Sequence, residues 1–307
     1  MVIMTPQSDA RDRRTASLVA GGGEAVCGVH GSPVLARDEV LALLRNGWGR
    51  RPRFDPGLAG GLRSWLEDGA AELVAARGED APPLYLGPRL LWQDAAGTMG
   101  VDTGAHPDGH GVFSPPMELV ESCLVRALFR QLVTTGRIGD PLTDALDALR
   151  VDPCRAGMVR HIGEMPDDVR AALSATLATH VAHLVNLTPR FASRWLPRTR
   201  DSVAIPLAGG RVVLCGVFDL LVGAPVPGTA TLCALGVATG GRWAQARATL
   251  HYLALLEMVR SGTPPFRVAL LHTAAGRFGV EDVLEEQLRA VVSHVAARLS
   301  ALGDFDV

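Results

Sequence analysis

The spacing of apolar residues changes character near Pro197 in this chain of 307 residues. Upstream, apolar positions recur every three or four residues, which predicts helices with one buried face; downstream they alternate or run together and are rich in β-branched side chains, which predicts strands. SPVLARDEVLALLRNGW, from residue 32, predicts a helix with Val40, Leu41, Leu43 and Leu44 on its apolar face and Asp38 as a cap. A second helix is expected from near Pro56 to Gly78. PLYLGPRLLW then reads as a strand pair and GTMGVDTGAHPDGHG as a loop. The first strong helical signal along the chain is SPPMELVESCLVRALFRQLVTTGR, where Ser114 can cap, prolines suit the first turn, and Gly136 ends the run of Leu119, Cys123, Val125, Leu128, Phe129 and Leu132. DPLTDALDALR from Asp140 and MPDDVRAALSATLATHVAHLVNL from Met165 predict two more helices with acidic starts.

Beyond Pro197, DSVAIPL and GRVVLCGVFDLLVG form a hairpin joined at Ala208, Gly209 and Gly210. TATLCALGV is a third strand, WAQARATLHYLALLEMVRSG a helix, FRVALLHTA a fourth strand, and VEDVLEEQLRAVVSHVAARLSAL a closing helix. The expected class is therefore α/β, a sheet flanked by helices after a mainly helical N-terminal part. Three segments are expected: a flexible arm over 1–33, a mainly helical region over 34–113 and the α/β domain over 114–302.

Composition narrows the chemistry. All 30 basic Lys+Arg residues are arginine, so Schiff-base and phosphate-loop lysine chemistries are excluded. A net charge of −2 supplies no global attraction for nucleic acid, so such binding would need a local arginine patch. Five scattered cysteines without CxxC spacing argue against disulfide frameworks and metal clusters and predict buried, reduced thiols. Acids and arginines interrupt the opening stretch, and no apolar run reaches membrane-spanning length, so a cytoplasmic protein without membrane contact is expected. Signatures of serine hydrolases, zinc proteases, dinucleotide-binding folds and calcium loops are missing.

The order GVFDLLVG, then LGVATGG, then the helix from Trp243, then PPFRVALLHT resembles the RecB-like branch of the PD-(D/E)XK nuclease superfamily, over 114–302. The resemblance implies a restriction-endonuclease-like core sheet flanked by helices. In active relatives, acids on two neighbouring strands hold divalent metals beside a phosphate and a lysine assists. The resemblance puts Asp219 in the first acid's position and so makes it the expected residual catalytic group and metal ligand. Gly236 stands where the second acid belongs and Ala238 where the lysine belongs. On the first helix the candidate position falls at Val125 and Arg126, in SCLVRALF.

The reading that follows is a pseudo-nuclease of bacterial type acting by binding nucleic acid or a protein. No cofactor is expected. Arg242, Arg247 and His251 at the start of the helix after the third strand are the candidate nucleic-acid contacts, against a solvated helix face as the plain alternative. The plain alternative for Asp219 is a structural carboxylate, paired for example with Arg242 or Arg247. Two other functions compete: a metal-dependent DNA nuclease using Mg²⁺ or Mn²⁺ with migrated groups such as Glu257, and an interaction module without nucleic-acid contact. His106, Asp108 and His110 have metal-ligand spacing in a glycine-rich loop, and His180 with His183 could form half a metal site, although exposed helix positions fit them better. Glu281, Asp282 and Glu285 read as caps of the last helix.

Overall fold

The computed structural model describes residues 25–27, 37–45, 52–78, 81–92 and 115–303. Its strands are β1 (Ala25–Cys27), β2 (Leu84–Leu86), β3 (Arg198–Leu207), β4 (Val212–Val222), β5 (Cys233–Ala238), β6 (Arg267–His272) and β7 (Arg277–Asp282). The helices are α1 (Arg37–Arg45), α2 (Leu58–Arg77), α3 (Pro88–Trp92), α4 (Met117–Thr135), α5 (Pro141–Arg150), α6 (Ala156–Gly163), α7 (Asp167–Leu187), α8 (Trp243–Ser261) and α9 (Glu285–Gly303). The seven strands form one mixed sheet in the order β1-β7-β6-β5-β4-β2, with β3 also paired to β4. β3, β4 and β5 are successive antiparallel neighbours, and β6 returns parallel to β5 through α8.

Alternation along β5 sorts the molecule into layers. Ala234 and Ala238 belong to a core with α2, α8 and α9 on one side of the sheet. Cys233, Leu235 and Val237 belong to a core with α1, α4, α5, α6 and α7 on the other. All six β5 residues are buried, as a central strand covered on both faces requires. Helix ends follow local chemistry: the Asp140 side chain accepts from the Thr143 amide at 2.8 Å at the start of α5, and Gly136 closes α4 in the left-handed conformation with φ +75°.

The described part of the 34–113 region is built into the same layers. α2 supplies Leu62, Leu66 and Leu73 to the α8-side core, and β2 lies parallel to the first residues of β4. The buried Tyr252 hydroxyl is shared between Leu86 O and Cys215 O, each at 3.2 Å, and so joins α8 to both strands. Arg267, buried at the start of β6, reaches Leu43 O of α1 at 2.6 Å and Asp282 of β7.

Four expectations are corrected. Ala25–Cys27, inside the expected arm, is a strand antiparallel to β7; the rest of that arm and the loop holding His106, Asp108 and His110 lie outside the described residues. The second member of the expected strand pair is the short helix α3, because Pro88 fits a helix start and cannot donate to a ladder. Val280, Glu281 and Asp282 end β7 instead of opening the last helix, which begins at Glu285. β7 is placed by tertiary packing: a Cβ at Gly279 would stand 2.5 Å from the Trp243 ring, so only glycine admits that indole against the sheet. Finally, His180 is buried at 3% exposure, and its Nδ1 is 2.7 Å from Thr273 Oγ1.

Candidate functional site

Asp219 sits where β4 changes faces. Val212, Leu214 and Phe218 point into the α8-side core, whereas Leu220 and Val222 point into the α4-side core, although all five would share a face in an uninterrupted strand. The ladder with β3 marks the break: Asp201 pairs with Phe218 and Thr199 with Leu220, while Arg200 and Asp219 are skipped. Arg200 there adopts φ +56°, a left-handed conformation costing on the order of 1 kcal/mol for a residue with a side chain. β4 pairs with β5 only through Leu220, Leu221 and Val222, so the two strands part below Leu220 and leave a fork between Asp219 and Val237.

Side chains close that fork. The Val237 amide donates to Asp219 Oδ2 at 2.8 Å. The Arg126 guanidinium of α4 reaches Asp219 with Nε at 3.2 Å, and its Nη2 donates to Val237 O at 3.3 Å. Its Nη1 donates to Ser122 Oγ, one helical turn back, at 2.7 Å. Asp219 and Arg126 together thus satisfy both polar groups of Val237 that a continued ladder would have used. The Asp219 side chain is 13% exposed and that of Arg126 43% exposed, so the pair lies at the rim of the fork with the carboxylate inward.

A divalent cation does not fit these residues. It needs several hard oxygen ligands, and the one carboxylate here is already engaged by an amide and a guanidinium. On the α8 side of the sheet, a Cβ on Gly236 would lie 2.7 Å from Leu250 Cδ2, so a side chain larger than hydrogen has no room there. Ala238 packs into the same core. Among the described residues, no group of three or more His, Cys, Asp or Glu side chains is arranged to hold a metal ion.

No protein-family model matches this chain, and no curated protein does.

The other predicted site residues lie elsewhere. Arg247 and His251 both meet Glu281 of β7, His251 through Nε2 at 3.1 Å. β7 is separated from β4 by β6 and β5, about 14 Å across the sheet, so neither residue is at the fork. Burial works to raise the Glu281 pKa, but hydrogen bonds from His251 and Arg247 outweigh it and hold the carboxyl below its ordinary range. Arg242 is exposed and precedes α8 without a side-chain capping bond. The partner of Asp219 is Arg126, not Arg242 or Arg247. Glu257 is buried on α8 against Arg260, on the opposite side of the sheet from α4. Burial raises its pKa.

Sequence reasoning passed over three arginines near Arg126. Arg130 lies one turn further along α4, Arg155 donates to Cys123 Sγ of α4 at 3.6 Å, and Arg200 is bound by Asp152. Only the four-residue spacing of Arg126 and Arg130 was visible as a pattern. Among the described residues, no helix is long and apolar enough to cross a membrane.

Proposed function

We propose that this chain is a cytoplasmic RecB-like PD-(D/E)XK pseudo-nuclease, which has given up metal-dependent phosphodiester cleavage and acts by binding. The order α4, β3, β4, β5, α8, β6, with β6 parallel to β5, is the arrangement the resemblance implies and supports this reading. One observation carries the loss of cleavage: the single acid at the fork is bound by the Arg126 guanidinium, which supplies there the positive charge a metal would have brought. Leu250 filling the space over Gly236 supports it independently. The positions that the resemblance gives to the second acid and the lysine, which would hold a metal and orient water, are Gly236 and Ala238, and neither side chain can take that part.

The test is to incubate the protein with plasmid and linear DNA plus Mg²⁺ or Mn²⁺, with Asp219→Ala as control. No Asp219-dependent nicking is expected. Nicking that disappears in Asp219→Ala would overturn the reading and favour a nuclease with migrated residues.

A further inference from the structure

Four guanidiniums converge on the α4 side of the fork. Ser122, Cys123, Arg126 and Arg130 lie along one side of α4, at spacings of three, four and seven residues. Arg155 is anchored there through Cys123 Sγ. Arg200 projects from the strained, off-ladder position on β3 and is bound by Asp152, three residues before Arg155.

Three of these arginines have protein partners: Arg126 has Asp219, Ser122 and Val237, Arg155 has Cys123, and Arg200 has Asp152. Arg130 is half-buried and, among the described residues, its guanidinium has no hydrogen-bond or ion-pair partner. Burial depresses its pKa most, and repulsion from Arg200, Arg155 and Arg126 adds to this against the single nearby attraction of Asp219. A guanidinium so placed has five donors in a fixed fork and no acceptor. The cluster sets four positive charges against the two carboxylates of Asp219 and Asp152, leaving an excess of two.

We infer that these arginines form a metal-free oxyanion site, with Arg130 as the principal donor and Arg126, Arg155 and Arg200 around it, whose ligand is a phosphate monoester. An excess of two positive charges matches a monoester, which carries about −1.5 to −2 at neutral pH, better than the single charge of a backbone diester. Planar guanidiniums present paired donors to phosphate oxygens, and burial strengthens each bond. The monoester has two sources: a small free phosphate, or the terminal phosphate of a nucleic-acid strand. The inference rests on the pseudo-nuclease reading, because it requires that the fork hold an anion without a bridging cation.

Binding is measured in EDTA and, in a parallel series, with Mg²⁺. Calorimetry with inorganic phosphate and with a nucleoside 5′-monophosphate tests the free source; fluorescence anisotropy of a short single strand, 5′-phosphorylated or 5′-hydroxyl, tests the strand end. A phosphate-bearing probe should bind saturably, and Arg130→Gln should weaken it by about 10- to 100-fold, the loss of one or two charge-assisted bonds. Because the Arg130 guanidinium has no partner among the described residues and is opposed by burial and by its arginine neighbours, its Gln variant should melt no lower than the wild type, and Arg155→Gln provides a second, exposed variant with the same expected direction of binding loss. Binding confined to small phosphates or to strand ends supports the site and identifies the source. Absence of saturable binding by every probe, equal binding by Arg130→Gln and Arg155→Gln, or binding only with Mg²⁺ would overturn it. The two readings fail separately: Asp219-dependent nicking removes the pseudo-nuclease, whereas missing phosphate binding without nicking removes only this site.

Discussion

Replacing Asp219 by alanine separates a structural carboxylate from a catalytic one. In this fold the carboxylate accepts the Val237 amide and pairs with Arg126, so Asp219→Ala leaves a buried amide without an acceptor and a guanidinium without its anion. A bond from an amide to a charged acceptor is worth about 1.5–3 kcal/mol. The pair with Arg126 adds no more than about 1 kcal/mol, because that side chain is 43% exposed and screened by water. The expected loss is about 2–4 kcal/mol. A chain of 307 residues unfolds with an entropy of roughly 0.65 kcal/mol/K, so the melting temperature should fall by about 3–6 °C. Asp219→Asn keeps a neutral acceptor for Val237 and should lose about 1–2 kcal/mol, from the weaker amide bond and the missing ion pair. Circular dichroism and tryptophan fluorescence melts of Asp219→Ala, Asp219→Asn, Arg126→Gln and the Arg126→Gln/Asp219→Asn double variant complete the cycle, with the two sites coupled because they share Val237. An Asp219→Ala protein as stable as the wild type, or more stable, would refute the structural role; that is the result expected of a carboxylate kept for metal binding at a cost to stability.

Other outcomes follow from the same contacts. Introducing an acid and a lysine with Gly236→Asp and Ala238→Lys should not create nicking and should cost at least about 1–3 kcal/mol in thermal melts, because Leu250 already fills the space at Gly236; adding Leu250→Ala should recover part of the overpacking strain. His180 is held below the ordinary histidine range by burial, with repulsion from His183 and His272 added, so the unfolded chain takes up its proton first. Its contribution is therefore complete above about pH 6.5 and is lost as pH falls through that value towards the folded pKa, while the depressed Glu281 contributes stability above about pH 4.3 that is lost on further acidification. Urea midpoints plotted against pH should show both declines, and a profile between pH 7 and 5 that His180→Gln leaves unchanged would contradict the first. Burial pushes the Cys233 thiol up to about 12, whereas Cys154 is exposed, so a thiol reagent should label Cys154 in the native protein and reach Cys233 only on unfolding, as peptide mapping can check.

The helices and strands that carry their own periodicity were legible in the sequence. α4, α5, α7 and α8 have full apolar faces and clear stops, and the β3–β4 hairpin has its turn at Ala208, Gly209 and Gly210. β7 was missed because its run of Phe278 and Val280 is short and contains Gly279, which weakens a strand signal while making room for Trp243. At the site, Asp219, Gly236, Ala238 and Arg126 all stood at positions worth naming, but the partner of Asp219 did not follow from them: candidates on α8 were nearer in sequence than Arg126, which is 93 residues away.

Local pattern determined the layers of this protein, because a face repeating every 3.6 or two residues must find cover wherever it lies. It also determined that two chemically empty residues, Gly236 and Ala238, stand on the strand after the one that carries Asp219. Tertiary structure alone decided that β4 would break at Asp219, that Arg126 would close the fork, and that Arg130, Arg155 and Arg200 would gather beside it. Charge has no period along a chain; its effect depends on distance and burial, and both are set only when α4, β3 and the turn at Asp152 come together.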